Sequence, residues 1–343
     1  MIRTTVVGSY PVPTWLKVHP SPEAVRDAVR IVLDVQQQAG IELLSDGELT
    51  RWNGREFRPS GMVERFVSQL QGIVSEPSYA QRIAFQQRAD VSYRGKPAGI
   101  VVDELDSGQL DLEREWRMAA ELTSLPLKFT ITSPYMIAKL VHDGWYNDFA
   151  QLLSRVAQIL AEQVVGIGAA VIQVDEPHLP GRPQDALLAA GAINTVLAGA
   201  TGETAVHLCF GNFVGQRIQT GDYGHLLSFF DALDCDHLVL ETTRRPEDEI
   251  RLLRDIKQEM KFGFGVIDVK DLQVESASIV ADRIDALAKI VGENRIKYVN
   301  PDCGLSHLPR EVADRKLAAL AAGRDLFAGG RELQGNPLKH ANP

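Results

Sequence analysis

The feature that most constrains this chain is an alternation that runs through most of its length. Short runs rich in β-branched residues recur, and longer segments with helical periodicity lie between them. The strand candidates are 4–8, 41–46, 128–132, 169–175, 204–210, 236–242, 261–268 and 296–301, eight in all. The helix candidates lie near 22–39, 148–166, 185–199, 214–232, 247–258, 275–290 and 308–327. The first of them, "SPEAVRDAVRIVLDVQQQAG", opens on Ser-Pro and stops at Gly40, the residue types that start and end helices. Eight such units predict an α/β fold, a (β/α)8 TIM barrel; a doubly wound open sheet would show the same alternation. The rhythm breaks over 53–127. There two alternating runs flank the turn-like "RGKP", which predicts an inserted β-hairpin between barrel strands two and three. With no repeat, low-complexity tract or linker in sight, residues 1–343 read as one barrel domain carrying that insertion.

Composition narrows the partners. The chain has 343 residues, 45% hydrophobic, enough for a sizeable core. Its formal charge of −9, without a long basic run, excludes a nucleic-acid footprint. No apolar stretch of roughly 20 residues occurs, so no membrane helix is expected, and the N-terminal segment lacks the apolar core of a signal peptide. Cys209, Cys235 and Cys303 are an odd, low count, which points to a reducing compartment, the cytoplasm.

In a barrel, chemistry collects at the C-terminal ends of the strands. In chain order those ends carry Gly8 and Ser9; Asp46, Gly47 and Glu48; Asp175 and Glu176; His207 and Cys209; Glu241; Asp268 and Lys270; and Asn300, Asp302 and Cys303. On a strand alternate side chains share a face, so His207 and Cys209 point the same way and Leu208 the other. An imidazole and a thiol on one face are two metal ligands, and Glu241 and Cys303 offer a carboxylate and a thiol from later strand ends. The competing reading makes each an ordinary buried residue, since lone cysteines and histidines usually serve packing and hydrogen bonding. Cys235 precedes its strand and reads as an inert small residue. For "DGE" (46–48) and "DEP" (175–177) two readings stand side by side: capping of the following turn, or recognition of a cationic group such as a substrate ammonium.

The segments "VVGSYP", "SDGELTR", "IQVDEPHL", "HLCFGN", "VLETTRR" and "YVNPDCGL", spread from residue 6 to 305, resemble the C-terminal catalytic barrel of the cobalamin-independent methionine synthases. The resemblance implies a zinc site of His207, Cys209, Glu241 and Cys303. It also implies that Ser9, Glu48 and Asp175, with backbone near Gly8, hold the amino-acid part of homocysteine. Two departures are visible. The chain is too short for the second, N-terminal barrel of full-length members. And "GVIDVKDL" puts Lys270 where the family carries a catalytic histidine, which makes Lys270 a candidate catalytic group beside Glu241.

The expected activity is therefore zinc-dependent transfer of a methyl group to the homocysteine thiol, giving methionine. The donor is a methylcorrinoid such as methylcobalamin, free or on a carrier protein, or methyltetrahydrofolate delivered with an accessory protein. One alternative is another zinc-dependent thiol alkyltransferase or lyase, of the coenzyme M or epoxyalkane type. A sulfonate thiol carries no ammonium, so converging carboxylates would repel it. Another alternative is a non-catalytic zinc-binding accessory protein. Its structural metal would be held by four fixed ligands, often clustered in sequence, which this pattern lacks.

Overall fold

The structure, a computed structural model, describes residues 1–51, 61–91, 93–211 and 219–329. Among these the strands are β1 (Arg3–Thr4), β2 (Leu44–Ser45), β3 (Gln71–Val74), β4 (Ile100–Asp106), β5 (Leu127–Thr132) and β6 (His142–Asp143). They continue with β7 (Val171–Asp175), β8 (Glu203–Leu208), β9 (His237–Leu240), β10 (Lys261–Ile267) and β11 (Ile296–Pro301). Eight of them form one parallel sheet in the order β1-β11-β10-β9-β8-β7-β5-β2. A parallel bridge from Thr5 to Leu43 joins its two outer strands, so the sheet closes on itself as the (β/α)8 reading requires.

The sequence is suited to that closure. Residues of one parity face the barrel interior: Val171, Ala205, Val239 and Tyr298, with Val7 and Leu43, pack as a cluster of their own. Residues of the other parity, such as Ile172, Val206, Leu208, Leu238, Leu240, Phe262 and Phe264, join the larger core between strands and helices. Both faces are therefore buried, which is why these strands read as near-continuous apolar runs. The helices bury single stripes against the sheet. Helix Pro22–Gln38 is capped by Ser21, whose hydroxyl accepts from the Ala24 amide at 3.0 Å, and it buries Ala28, Val29, Val32 and Leu33. Its buried Gln36 amide then clasps both backbone groups of Ser45, at 2.7 and 2.9 Å. This contact locks the strand end that carries Asp46 and Glu48.

The insertion lies between barrel strands β2 and β5. It does contain an antiparallel pair, β3 with β4, but not around "RGKP". The "RIAF" run assigned to the first hairpin strand belongs instead to helix Tyr79–Gln86. A capping box between Ser78 and Gln81 starts that helix and Phe85 anchors it in the core. Residues 53–60 of the insertion lie outside the described residues, as do 214–218 of the helix expected at 214–232. The described remainder of that segment is a short 3-10 turn, Tyr223–Leu226, and helix Leu227–Ala232. Among the described residues no helix is long and apolar enough to cross a membrane.

Candidate active site

The strand parity that closes the barrel also sets the site. Along β8 and the residue after it, Ala205, His207 and Cys209 follow one another on the inner face, while Val206 and Leu208 face the helices. On the neighbouring strands the same parity sends Asp175 and Glu241 inward. Register places Asp175 beside His207 across the β7–β8 ladder.

The structure brings His207, Cys209 and Cys303 together: one ligand atom from each lies within 4.8 Å of the others. The two sulfurs are 3.7 Å apart. The His207 ring is oriented by its Nδ1, which donates to the Val239 carbonyl at 3.0 Å. That leaves Nε2 as the lone-pair nitrogen, buried and without a hydrogen bond of its own. The thiols are driven apart in acidity. A hydrogen bond from Cys209, followed by the neighbouring His207 ring and Lys270 ammonium, lowers the Cys303 thiol well below its ordinary range against the effect of burial. Cys209, facing Cys303 and buried, is raised. Two sulfurs and an oriented imidazole are a donor set that suits zinc. Cys235 lies apart, half-buried with its sulfur against Met260.

Glu241 does not belong to that three-residue cluster. Its Oε2 instead accepts from Lys270 Nζ at 3.0 Å, and each side chain is only 5% exposed. The Phe210 amide also donates to Oε2, at 3.4 Å. Behind Glu241 the chain is anchored by Asp302, the residue before Cys303. Its Oδ1 accepts from the amides of Thr242 at 2.9 Å and Thr243 at 3.2 Å, and its Oδ2 from the Thr243 hydroxyl. Gly265 makes the room, because a Cβ there would lie 2.1 Å from Asp302 Oδ1. One buried carboxylate thus couples the loop after β9 to the loop that presents Cys303.

The two acidic motifs turn out to divide their labour. In "DGE", Asp46 Oδ1 caps the amide of Glu48 at 2.9 Å. In "DEP", Glu176 Oε1 caps the amides of His178 and Leu179 at 2.7 and 2.8 Å. The other member of each pair turns to the barrel mouth. Glu48, held at a φ of 56°, accepts from the Thr130 hydroxyl at 2.8 Å. Its Oε1 would lie 2.1 Å from a Cβ on Gly8, so any larger residue there would displace the Glu48 carboxylate. Asp175 is held by Gln173, whose amide donates to Oδ1 at 2.7 Å and to the Val7 carbonyl at 2.9 Å. Burial, and then the nearby Glu48 charge, push the Asp175 carboxyl up to about 7. Ser9 follows Gly8, and its carbonyl accepts from the Leu305 amide at 2.8 Å, joining the first strand end to the last.

Sequence reasoning assigned no role to three groups that the fold puts under these carboxylates. Arg51 is 4% exposed, with Nη1 3.7 Å from Glu48 Oε1 and Nη2 donating to the Thr130 carbonyl. Thr130 and Gln173 complete the set. Their signal was available: Thr130 and Gln173 share the inward parity of their strands, and Arg51 stands in the quoted "SDGELTR".

With this geometry in hand, comparison with known proteins gives a consistent result. The family described as "Cobalamin-independent synthase, Catalytic domain" matches residues 2–323. The chain is 30% identical over 349 residues to a methionine synthase of Thermococcus kodakarensis, covering 97% of this chain and 95% of that one. It is 28% identical over 339 residues to a methionine synthase of Saccharolobus solfataricus, covering 94% of each. In fold it superposes on a B12-independent methionine synthase from Shewanella sp. W3-18-1, solved in complex with selenomethionine. The TM-score is 0.80, the identity 24%, and the match covers 96% of this chain and 98% of that one. A closed (β/α)8 barrel, acidic pairs at its mouth and a family match over nearly the whole chain agree that this is a methyltransferase of the cobalamin-independent methionine synthase family.

Proposed function

We propose that the chain methylates the thiol of homocysteine, with zinc held by His207, Cys209 and Cys303 and with Glu241 as a further ligand. The observation that carries this reading is the cluster of two sulfurs and one oriented imidazole, with Asp175 directly beside His207. Zinc, when bound, supplies the positive charge that lets a substrate thiol lose its proton near neutral pH.

The protein's own groups account for the rest. Asp175 and Glu48 converge on the barrel mouth and would hold the substrate ammonium; an ammonium between them offsets the burial and the Glu48 charge that together raise the Asp175 carboxyl. Ser9 and the backbone near Gly8 would take the other polar groups of the amino acid. Arg51 and Thr130 fix the direction of Glu48, and Gln173 that of Asp175, so the substrate meets a preorganised cradle. The relative solved with selenomethionine shows that a protein of this fold accommodates such an amino acid. Lys270, in place of a histidine, leaves the donor open between methylcobalamin or a corrinoid protein and methyltetrahydrofolate, with or without an accessory protein. We also read 1–343 as a single catalytic domain, at work in the cytoplasm given three free cysteines.

The test is direct. Zinc-loaded protein is offered homocysteine with methylcobalamin and with methyltetrahydrofolate in separate reactions, and methionine is measured by mass spectrometry. Methionine with either donor, lost on chelation, is expected and names the donor. A zinc-replete protein that makes none with either free donor shifts the reading to a partner-delivered donor or to the alkyltransferase and lyase alternative.

A further inference from the structure

We propose that Lys270 is a positioning residue that draws the Glu241 carboxylate away from His207, Cys209 and Cys303, keeping a place beside the cluster open for the incoming thiol. The inference rests on the zinc reading above and gives Lys270 a role distinct from proton donation.

The pairing is built, not incidental. Two loops meet here, the one after β9 that carries Glu241 and the one after β10 that carries Lys270. Three bonds hold them, one from the first loop to β10 itself and two from loop to loop. The Thr242 hydroxyl donates to the Gly265 carbonyl; Arg244 Nε donates to Asp268 Oδ2 at 2.7 Å; and Lys270 Nζ donates to Glu241 Oε2 at 3.0 Å. The Lys270 loop is itself preset, since the Lys270 amide donates to Asp268 Oδ1 and the Asp268 amide to Glu275 Oε1, both at 2.8 Å. Glu275 in turn is held by Lys316 and Arg283, at 2.8 and 3.2 Å. A long lysine side chain normally keeps its head in water. This one is 5% exposed, aimed at one carboxylate and anchored from behind.

The consequence is a competition for Glu241. A catalytic zinc site keeps a position for substrate, whereas four fixed protein ligands close it. His207 and the two cysteines lie within 4.8 Å of one another without Glu241, and the Lys270 ammonium gives the carboxylate a buried ion-pair partner off the cluster. Removing the ammonium leaves Glu241 buried and charged with no such partner, and the nearest remedy is a bound metal. Lys270 therefore weakens the protein's hold on zinc and eases entry of the thiol.

The experiment measures zinc affinity by chelator competition in wild type, Lys270→Met, Glu241→Gln and the double variant, together with the homocysteine KM and kcat. Lys270→Met is expected to bind zinc about tenfold more tightly, an outer-shell effect of ordinary size but reversed sign. Its homocysteine KM should rise more than its kcat falls. In the Glu241→Gln background the Lys270→Met change should have no effect on zinc affinity, because the carboxylate it acts through is gone. Lys270→Arg, which keeps the ion pair, should behave as wild type. Unchanged or weaker zinc binding in folded Lys270→Met, or in Lys270→Gln should the methionine variant not fold, overturns the proposal while leaving the zinc reading intact. A wild-type protein that binds no zinc at all overturns both.

Discussion

The two ends of this barrel are built from the same strands and the same inward columns, yet they treat polar groups in opposite ways. At the N-terminal end, Glu203 opens β8 and His237 opens β9, 2.8 Å apart, and Lys297 of β11 closes on the same carboxylate at 2.6 Å. Lys128, wholly buried near the start of β5, donates to the Val6 carbonyl at 2.8 Å. Four residues beyond Glu203 along β8 stands His207, and four beyond His237, just past the end of β9, stands Glu241. There the imidazole nitrogen and the two sulfurs gather within 4.8 Å of one another, with Asp175 beside His207 in register. Polar groups that neutralise one another across strands stabilise a fold; polar groups held in place but left facing a shared space can bind something. The columns are alike, so only the position along the strand decides which a residue does.

The sharpest way to break this comparison is at the C-terminal end. Cys303→Ser should lower zinc affinity by more than about 100-fold, beyond the usual outer-shell effect, and abolish methionine formation. Its thermal midpoint without zinc should stay close to wild type, because Cys303 is only partly buried at the edge of the core and serine nearly matches its size. Metal analysis and calorimetry check both halves. A variant that keeps its zinc removes Cys303 from the site.

Asp175→Asn should have a smaller effect of a different kind. Losing a charge-assisted bond to the substrate ammonium is worth about 1.5–3 kcal/mol, or roughly 10- to 100-fold in kcat/KM for homocysteine. Zinc content should not change. Steady-state kinetics with parallel metal analysis would show it, and an equal loss with a thiol lacking the amino group would exclude ammonium recognition.

The mildest effect is expected at the other end. Glu203→Gln should cost about 1–3 kcal/mol of stability in urea denaturation, with activity per folded molecule unchanged. The pH dependence follows from the carboxylate. Burial works against its charge, but His237 and Lys297 outweigh it and hold Glu203 down at about 2, below its ordinary value. A carboxylate with a lowered folded pKa contributes stability in full above the unfolded value near 4 and loses it as pH falls toward 2. The gap between wild type and Glu203→Gln should thus be full at pH 6 and shrink below pH 4. A gap that stays constant into acid would mean that charge plays no part in the pairing.

Much of this was legible in the chain. The alternation of eight strand runs with helical segments foretold the barrel, and the two-residue period of a strand, a local property, foretold the shared face of His207 and Cys209. The "RGKP" segment shows the limit: its flanking alternation suggested a hairpin, while the capping box at Ser78 and Gln81 made a helix of the first run. Local pattern could not choose between two local signals.

The acidic motifs mark the same boundary from the other side. Capping and cation recognition were equally open for "DGE" and "DEP", and the fold gave Asp46 and Glu176 the first role and Glu48 and Asp175 a place at the mouth. Sequence by itself determined which residues carry metal-binding and ionisable groups and on which strand ends they sit, since both follow from composition and period. Only the tertiary structure decided that Glu241 faces Lys270, that Asp302 ties its loop to Cys303, and that Arg51 lies beneath Glu48. Those contacts join residues 29, 60 and 3 positions apart. The barrel brings together the strand ends that make the first two, which no period along the chain encodes; the third is an i, i+3 contact whose turn is set by the left-handed Glu48 after β2.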